Sequence, residues 1–365
     1  MSATVIENGS LNIRVGYASS KLPYYNILNR GLHLPGSNPL RKFDYLFGDE
    51  ADFLSPAYTP ECPLRFGRIE NWDLMFVIWE HLFSLISLGG MQPISGFETN
   101  DNRLQVITGL NYTKSDYFKM CQFFIEKGFT EELCFGIDAV SALMSTGQST
   151  GLVVDIGDSG IRVLPVIDGR ASRSRAWQNY IGGGYISSQI RAIAPEALSR
   201  QIAVDYVKSN FMSCDLAELR RSKEKEKSKA TLPDGQSFLI GEDLITPLRE
   251  LLGIESREGP GLVGGVRQVL SELDRGTAAN LALRILFTGG GAQLANIDHS
   301  ILTELNDKSK YKFDMINNDD KINAAFRGSY FAFESSSSLT KFFTKRDLEE
   351  FGEQIIHKNA PHLLF

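Results

Sequence analysis

Apolar and polar positions change their period several times along the chain. TVIENGS followed by LNIRVGYA reads as two β-branched strands joined by a turn at Asn8-Gly9-Ser10, and GLVVDIGDSGIRVLPVIDGR repeats the design around Gly157-Asp158-Ser159-Gly160. Between them, NWDLMFVIWEHLFSLI places Trp72, Met75, Phe76 and Trp79 at helical spacing, and DYFKMCQFFIEKGF reads as a second helix. These aromatic stripes are expected to be core faces. Strand-like and helix-like segments alternating in this way predict an α/β fold.

The two hairpins are related in detail. ENGSLNIRV (7–15) and DIGDSGIRV (155–163) each carry an acid, a glycine two places on and a closing Ile-Arg-Val. A tight glycine turn exposes backbone N–H groups without sheet partners, a concave array suited to phosphate oxygens. Two such turns facing each other from similar domains would clamp a polyphosphate. Glu7 and Asp155, at the ends of the first strands, would then hold a hydrated Mg²⁺. A third glycine cluster, LFTGGGAQLANI (286–297), follows an apolar strand and would let the backbone approach a purine ring or ribose.

Composition narrows the partners. The chain has 365 residues, 42% of them hydrophobic, enough for two packed domains, and a net charge of −6 that gives no footprint for nucleic acid. Cys62, Cys121, Cys134 and Cys214 are too scattered for a zinc site or a disulfide framework, and reduced, mostly buried thiols are expected. The mixed-charge run RRSKEKEKSK (220–229) reads as a solvated face. MSATVIENGS lacks a basic-then-apolar leader and no segment reaches a membrane span, so a cytoplasmic or nuclear location is expected, with neither secretion nor a membrane partner.

YLFGDEA (45–51), FGRIENWDLMFVIWEHLF (66–83), GIDAVSALMSTGQSTGLVVDIGD (136–158), LPDGQSFLIGEDL (232–244), LFTGGGAQLANI and KRDLEEFGEQIIHK (345–358) together resemble actin and the actin-related proteins, in order and spacing. The resemblance implies an actin-like fold, a duplicated ribonuclease H-like arrangement of four subdomains around a central nucleotide cleft. It implies a large outer domain of residues 1–145 plus 323–365, with 26–61 as its small subdomain. The inner domain would span 146–322, with 179–258 as its small subdomain. It also implies ATP or ADP with Mg²⁺ as ligand. Gly9, Ser10, Leu11 and Arg14 would form the first phosphate loop and Gly157, Asp158, Ser159 and Gly160 the second. Lys208, Gly289, Gly290 and Lys321 would surround the nucleoside, and Asp155 would face the metal.

Several positions depart from that family. Glu7 stands for an aspartate, Arg14 for the lysine on the β-phosphate, and Ser209 for a glutamate at the nucleoside. Asp138 replaces the water-positioning glutamine and Arg162 the neighbouring histidine, so the two hydrolytic positions are degenerate. Asp138 reads either as a general base or as half of a salt bridge with Arg162 that closes an inert cleft. The strip Tyr330-Phe331-Ala332-Phe333-Glu334 and its four serines put an acid where actin has an apolar groove, and the loop 31–44 lacks the apolar character of the filament-contact loop. The expected function is a divergent actin-related protein with residual ATPase at most. It would serve as an adaptor in a cytoskeletal or chromatin-remodelling assembly whose other proteins include actin or actin-related proteins. The alternatives are a filament-forming actin with slow hydrolysis and a phosphotransferase on the same superfamily fold.

Overall fold

The computed structural model describes residues 3–34, 45–89, 103–221, 227–254, 261–307, 309–334, 341–360 and 363. Two sheets repeat one topology. In the first, Thr4–Asn8 pairs antiparallel with Asn12–Tyr17, which pairs with Tyr25–Leu28; its other edge takes Arg103–Thr108 in parallel and then Glu132–Ile137. In the second, Gly151–Ile156 pairs antiparallel with Ile161–Ile167, which pairs with both Arg170–Ala171 and Trp177–Asn179, and takes Ile285–Thr288 in parallel. Both are a hairpin extended on one side and joined by a crossover strand on the other. The sequence duplication is therefore a duplication of fold.

The period-2 alternation of the strand Gly151–Ile156 divides its side chains between two cores. Leu152, Val154 and Ile156 enter a cluster with Ile186, Val204, Leu248 and Val266, while Val153 enters the one built on Val5, Ile13, Trp79 and Phe124. The helices Asp138–Met144 and Ala324–Glu334 cross so closely that a Cβ on Gly328 would lie 1.6 Å from the Ser141 carbonyl oxygen. Only glycine permits this crossing.

The first aromatic stripe forms the helix Trp72–Gly89, with Met75 and Trp79 fully buried. The second differs from expectation: an α-helix over Lys114–Cys121 widens into a π-helical turn over Gln122–Glu126. Phe123, Phe124 and Ile125 are consecutive and all buried. The wider turn keeps them nearer one face, where Phe76 stacks on Phe123 at 4.6 Å and Trp79 meets Phe124 at 4.7 Å.

Two smaller expectations are corrected. Gly31–His33, read as loop, is a strand paired with Tyr45–Phe47, and the end of the charged run belongs to the strand Ser228–Thr231, paired with Ser237–Ile240. Residues 35–44, the charged centre 222–226, the side chains of Ala332, Phe333 and Glu334, and the serines 335–338 lie outside the described residues. Cys121, Cys134 and Cys214 are buried and Cys62 is exposed; all four thiols are free. Among the described residues no helix is long and apolar enough to cross a membrane.

Candidate functional site

Both hairpin turns open into one cavity of about 530 Å³, a volume ordinary for a small-molecule site. Its lining includes Gly9, Ser10, Leu11, Gly157, Asp158, Ser159 and Gly160 from the turns, and Glu7, Arg14, Asp155 and Arg162 from the strands below. Lys208, Ser209, Gly289 and Gly290 lie along the same walls, with Asp138 at the start of its helix. Within each turn one inward bond sets the shape: Gly9 N–H donates to the Asn12 carbonyl at 3.1 Å, and Gly157 N–H to the Gly160 carbonyl at 2.9 Å. The N–H groups of Ser10, Leu11, Asp158 and Ser159 donate no hydrogen bond among the described residues. They are the concave donors an anion would use.

The hairpin register places an acid opposite an arginine twice. Glu7 faces Arg14 and Asp155 faces Arg162 across their ladders. Arg14 Nη1 donates to Glu7 Oε1 at 2.7 Å. Arg162 donates through Nε to Asp155 Oδ2 at 3.1 Å, through Nη2 to the same oxygen at a shorter distance, and through Nη2 to Asp138 Oδ2 at 2.5 Å. The guanidinium thus joins the strand Ile161–Ile167 to the helix Asp138–Met144 across the floor of the cleft.

These groups are buried, and burial governs their titration. It pushes the Glu7 carboxyl up, opposed by Arg14 and helped by the charges of Asp138 and Asp155. It pushes Asp155 up as well, more than Arg162 relieves it. Burial disfavours the charge on Arg162, but Asp138 and Asp155 more than offset it and hold that guanidinium above the ordinary arginine range. Glu7 Oε2 and Arg14 Nε, both buried, have no hydrogen-bond partner among the described residues.

Several placements differ from the sequence reading. Lys321 does not line the cleft: its ammonium donates to Asp298 Oδ2 at 2.8 Å and to the Ala292 carbonyl at 3.1 Å. Lys208 reaches the wall, yet its ammonium is tied to Ser187 Oγ at 2.7 Å and the Gly183 carbonyl at 3.1 Å, and burial lowers its pKa. Within the third glycine cluster, a Cβ on Gly289 would lie 2.5 Å from Asp155 Oδ1 and one on Gly291 2.4 Å from Ile156 Cγ2. Those two glycines answer to packing on the strand beside them. Gly290 alone faces open space.

Contacts across the cleft carry no local sequence signal. Ser159 Oγ donates to Ser10 Oγ at 2.5 Å, joining the turns directly. Phe66 and Tyr180, both well exposed, meet at 4.4 Å at the mouth. Buried Asp52 accepts from Arg30 Nη1 at 2.6 Å and from the backbone N–H of Gln201 at 2.8 Å, capping the helix Gln201–Phe211, whose own Arg200 supplies no cap. Beside it Arg200 lies over the Phe53 ring at 4.8 Å.

A sheet-and-hairpin unit that occurs twice, each copy presenting a glycine turn with unbonded N–H groups to one cleft, defines a class of proteins built from two like halves. A family model for actin matches residues 1–231, and the chain belongs to the actin family. Members of that family bind ATP or ADP with a divalent metal. The residues here fit the phosphates better than the metal. Arg162 already occupies Asp155 Oδ2 and Asp138 Oδ2, which leaves Asp155 Oδ1 and Glu7 Oε2 as the carboxylate oxygens there that accept no hydrogen bond among the described residues. Among the described residues no three His, Cys, Asp or Glu side chains converge to hold an ion.

Proposed function

We propose that the protein is a divergent actin-related protein that holds an adenine nucleotide, turns it over slowly or not at all, and serves as a structural or adaptor subunit of a larger cytoskeletal or chromatin-remodelling assembly in the cytoplasm or nucleus. The observation that carries the nucleotide reading is the pair of turns, each with unbonded N–H groups, facing one cavity. Phosphate oxygens would bind to Ser10, Leu11, Asp158 and Ser159 N–H, and the nucleoside would extend past Ser209 toward Gly290. Turnover needs a water aligned with the terminal phosphate. Asp138, the group nearest that role, is engaged by Arg162 and so is poorly placed to align one.

Nucleotide released from freshly purified protein by denaturation and resolved by anion exchange tests this reading. ADP or ATP at a substantial fraction of one per chain is expected. A folded protein that carries none and shows no heat on titration with either would overturn it. The adaptor reading predicts no sedimentable filaments in Mg²⁺, ATP and moderate salt, where actins assemble; helical filaments by electron microscopy would favour the polymerising alternative.

A further inference from the structure

The cleft floor gathers three carboxylates, Glu7, Asp138 and Asp155, and two guanidinium groups, Arg14 and Arg162. Their arrangement is built, not incidental. Arg162 reaches Asp155 with two nitrogens and Asp138 with one of the same two, so its charge sits between the acids that would otherwise draw a cation. The seat is shaped for it: a Cβ on Gly109 would lie 2.5 Å from Arg162 Nη1 and 3.6 Å from Asp138 Oδ2. A glycine there gives the guanidinium its room.

A divalent ion placed by water between Asp138 and Asp155 would meet a fixed positive charge at contact range and find Asp138 engaged at both oxygens and Asp155 at Oδ2. A guanidinium is planar, permanently charged and able to donate to phosphate and carboxylate at once. We infer that Arg162 replaces the divalent cation of this cleft, so that the protein binds nucleoside polyphosphate without Mg²⁺. This rests on the nucleotide reading above and deepens it: Arg162 is a positioning cation that holds Asp138 and Asp155 together while presenting charge to the phosphates.

The test is calorimetric titration of the full chain with ADP, once in Mg²⁺ and once in excess EDTA. Equal dissociation constants, within about threefold, are expected. Weakening by tenfold or more in EDTA overturns the inference and leaves the nucleotide reading standing, whereas no binding in either buffer overturns both. Two variants sharpen the result. Arg162→His should restore metal dependence, with EDTA weakening ADP at least tenfold, and Arg162→Lys, which keeps a cation, should remain independent of metal. An Arg162→His protein that binds ADP equally well with and without Mg²⁺ would show that the arginine is not the reason. Should that variant fail to fold, the wild-type and lysine titrations still decide, and a thermal shift by ADP in EDTA gives a second reading of the same quantity.

Discussion

Asp52 holds two parts of the molecule together over the cleft, and its removal should be felt on the far side. Asp52→Ala deletes the acceptor for the Gln201 N–H at 2.8 Å and for Arg30 Nη1 at 2.6 Å, in a side chain only 6% exposed. Loss of a helix cap costs about 1 kcal/mol. Loss of a hydrogen bond to a charged, mostly buried partner costs about 2 kcal/mol. Arg30 is 17% exposed and recovers part of this from water. The two losses together approach about 3 kcal/mol, or roughly a hundredfold in the local opening equilibrium. Hydrogen exchange followed by mass spectrometry reads it directly: peptides over the start of the helix Gln201–Phe211 should exchange faster by about two orders of magnitude. Peptides from the strand Glu132–Ile137 should not change. Asp52→Asn, which keeps one acceptor oxygen, should lie in between. An exchange rate altered less than about threefold in Asp52→Ala would refute the capping role, and uniform acceleration everywhere would show global destabilisation instead of a latch.

Other outcomes follow from the same geometry. Burial raises the folded-state pKa of Glu7 above 4.5, so its contribution to stability is fully present below about 4.5 and is lost as pH rises through the folded value; wild type should gain on Glu7→Gln in urea midpoint as pH falls toward 4.5, and a gap constant with pH would refute this. Gly157→Ala meets nothing closer than the Gly160 carbonyl at 3.4 Å, so the fold should persist while ADP binding weakens, about tenfold by calorimetry. Gly291→Ala, with its Cβ 2.4 Å from Ile156 Cγ2, should instead lower stability by about 1–3 kcal/mol in a denaturant titration. Single-turnover ATP hydrolysis should be no faster than in monomeric actin and should rise in Asp138→Gln combined with Arg162→His; a fast wild-type rate abolished by Asp138→Asn would make Asp138 a working base.

What could be read without coordinates was whatever the chain writes locally. The hairpins announced themselves because strand alternation, glycine turns and the acid-to-arginine interval of each ladder are short-range properties. The equal interval is written in the sequence, but the registers that set Glu7 opposite Arg14 and Asp155 opposite Arg162 depend on how each turn closes. The pairing of Asp138 with Arg162 could be anticipated only through the family resemblance, since nothing near GIDAV or GIRVL names its partner. Lys321 shows the opposite limit: a lysine in the expected place in the chain turned away because Asp298, on the nearby helix Ile297–Asn306, offered a closer carboxylate. The glycine cluster was legible as a constraint but not as to its cause, because Ile156, which forbids a side chain at Gly291, lies far away in sequence. Asp52 with Gln201 and Ser10 with Ser159 join residues almost 150 positions apart, and no pattern in either segment records the other.

The contact of Gly328 with the Ser141 backbone has a mechanical side. Two helices that touch main chain to main chain cannot slide toward one another, and a rise of even one methyl group would have to push them apart. Both helices pack into the core built on Val5 and Trp79, so the crossing stiffens that half of the molecule as one arm. Phe66 with Tyr180 and Asp52 with Gln201 are two points at which that arm touches the other side of the cleft. A stiff arm passes a push at one of these contacts on to the other without bending, so a binding partner that loosened one lip of the cleft would loosen both.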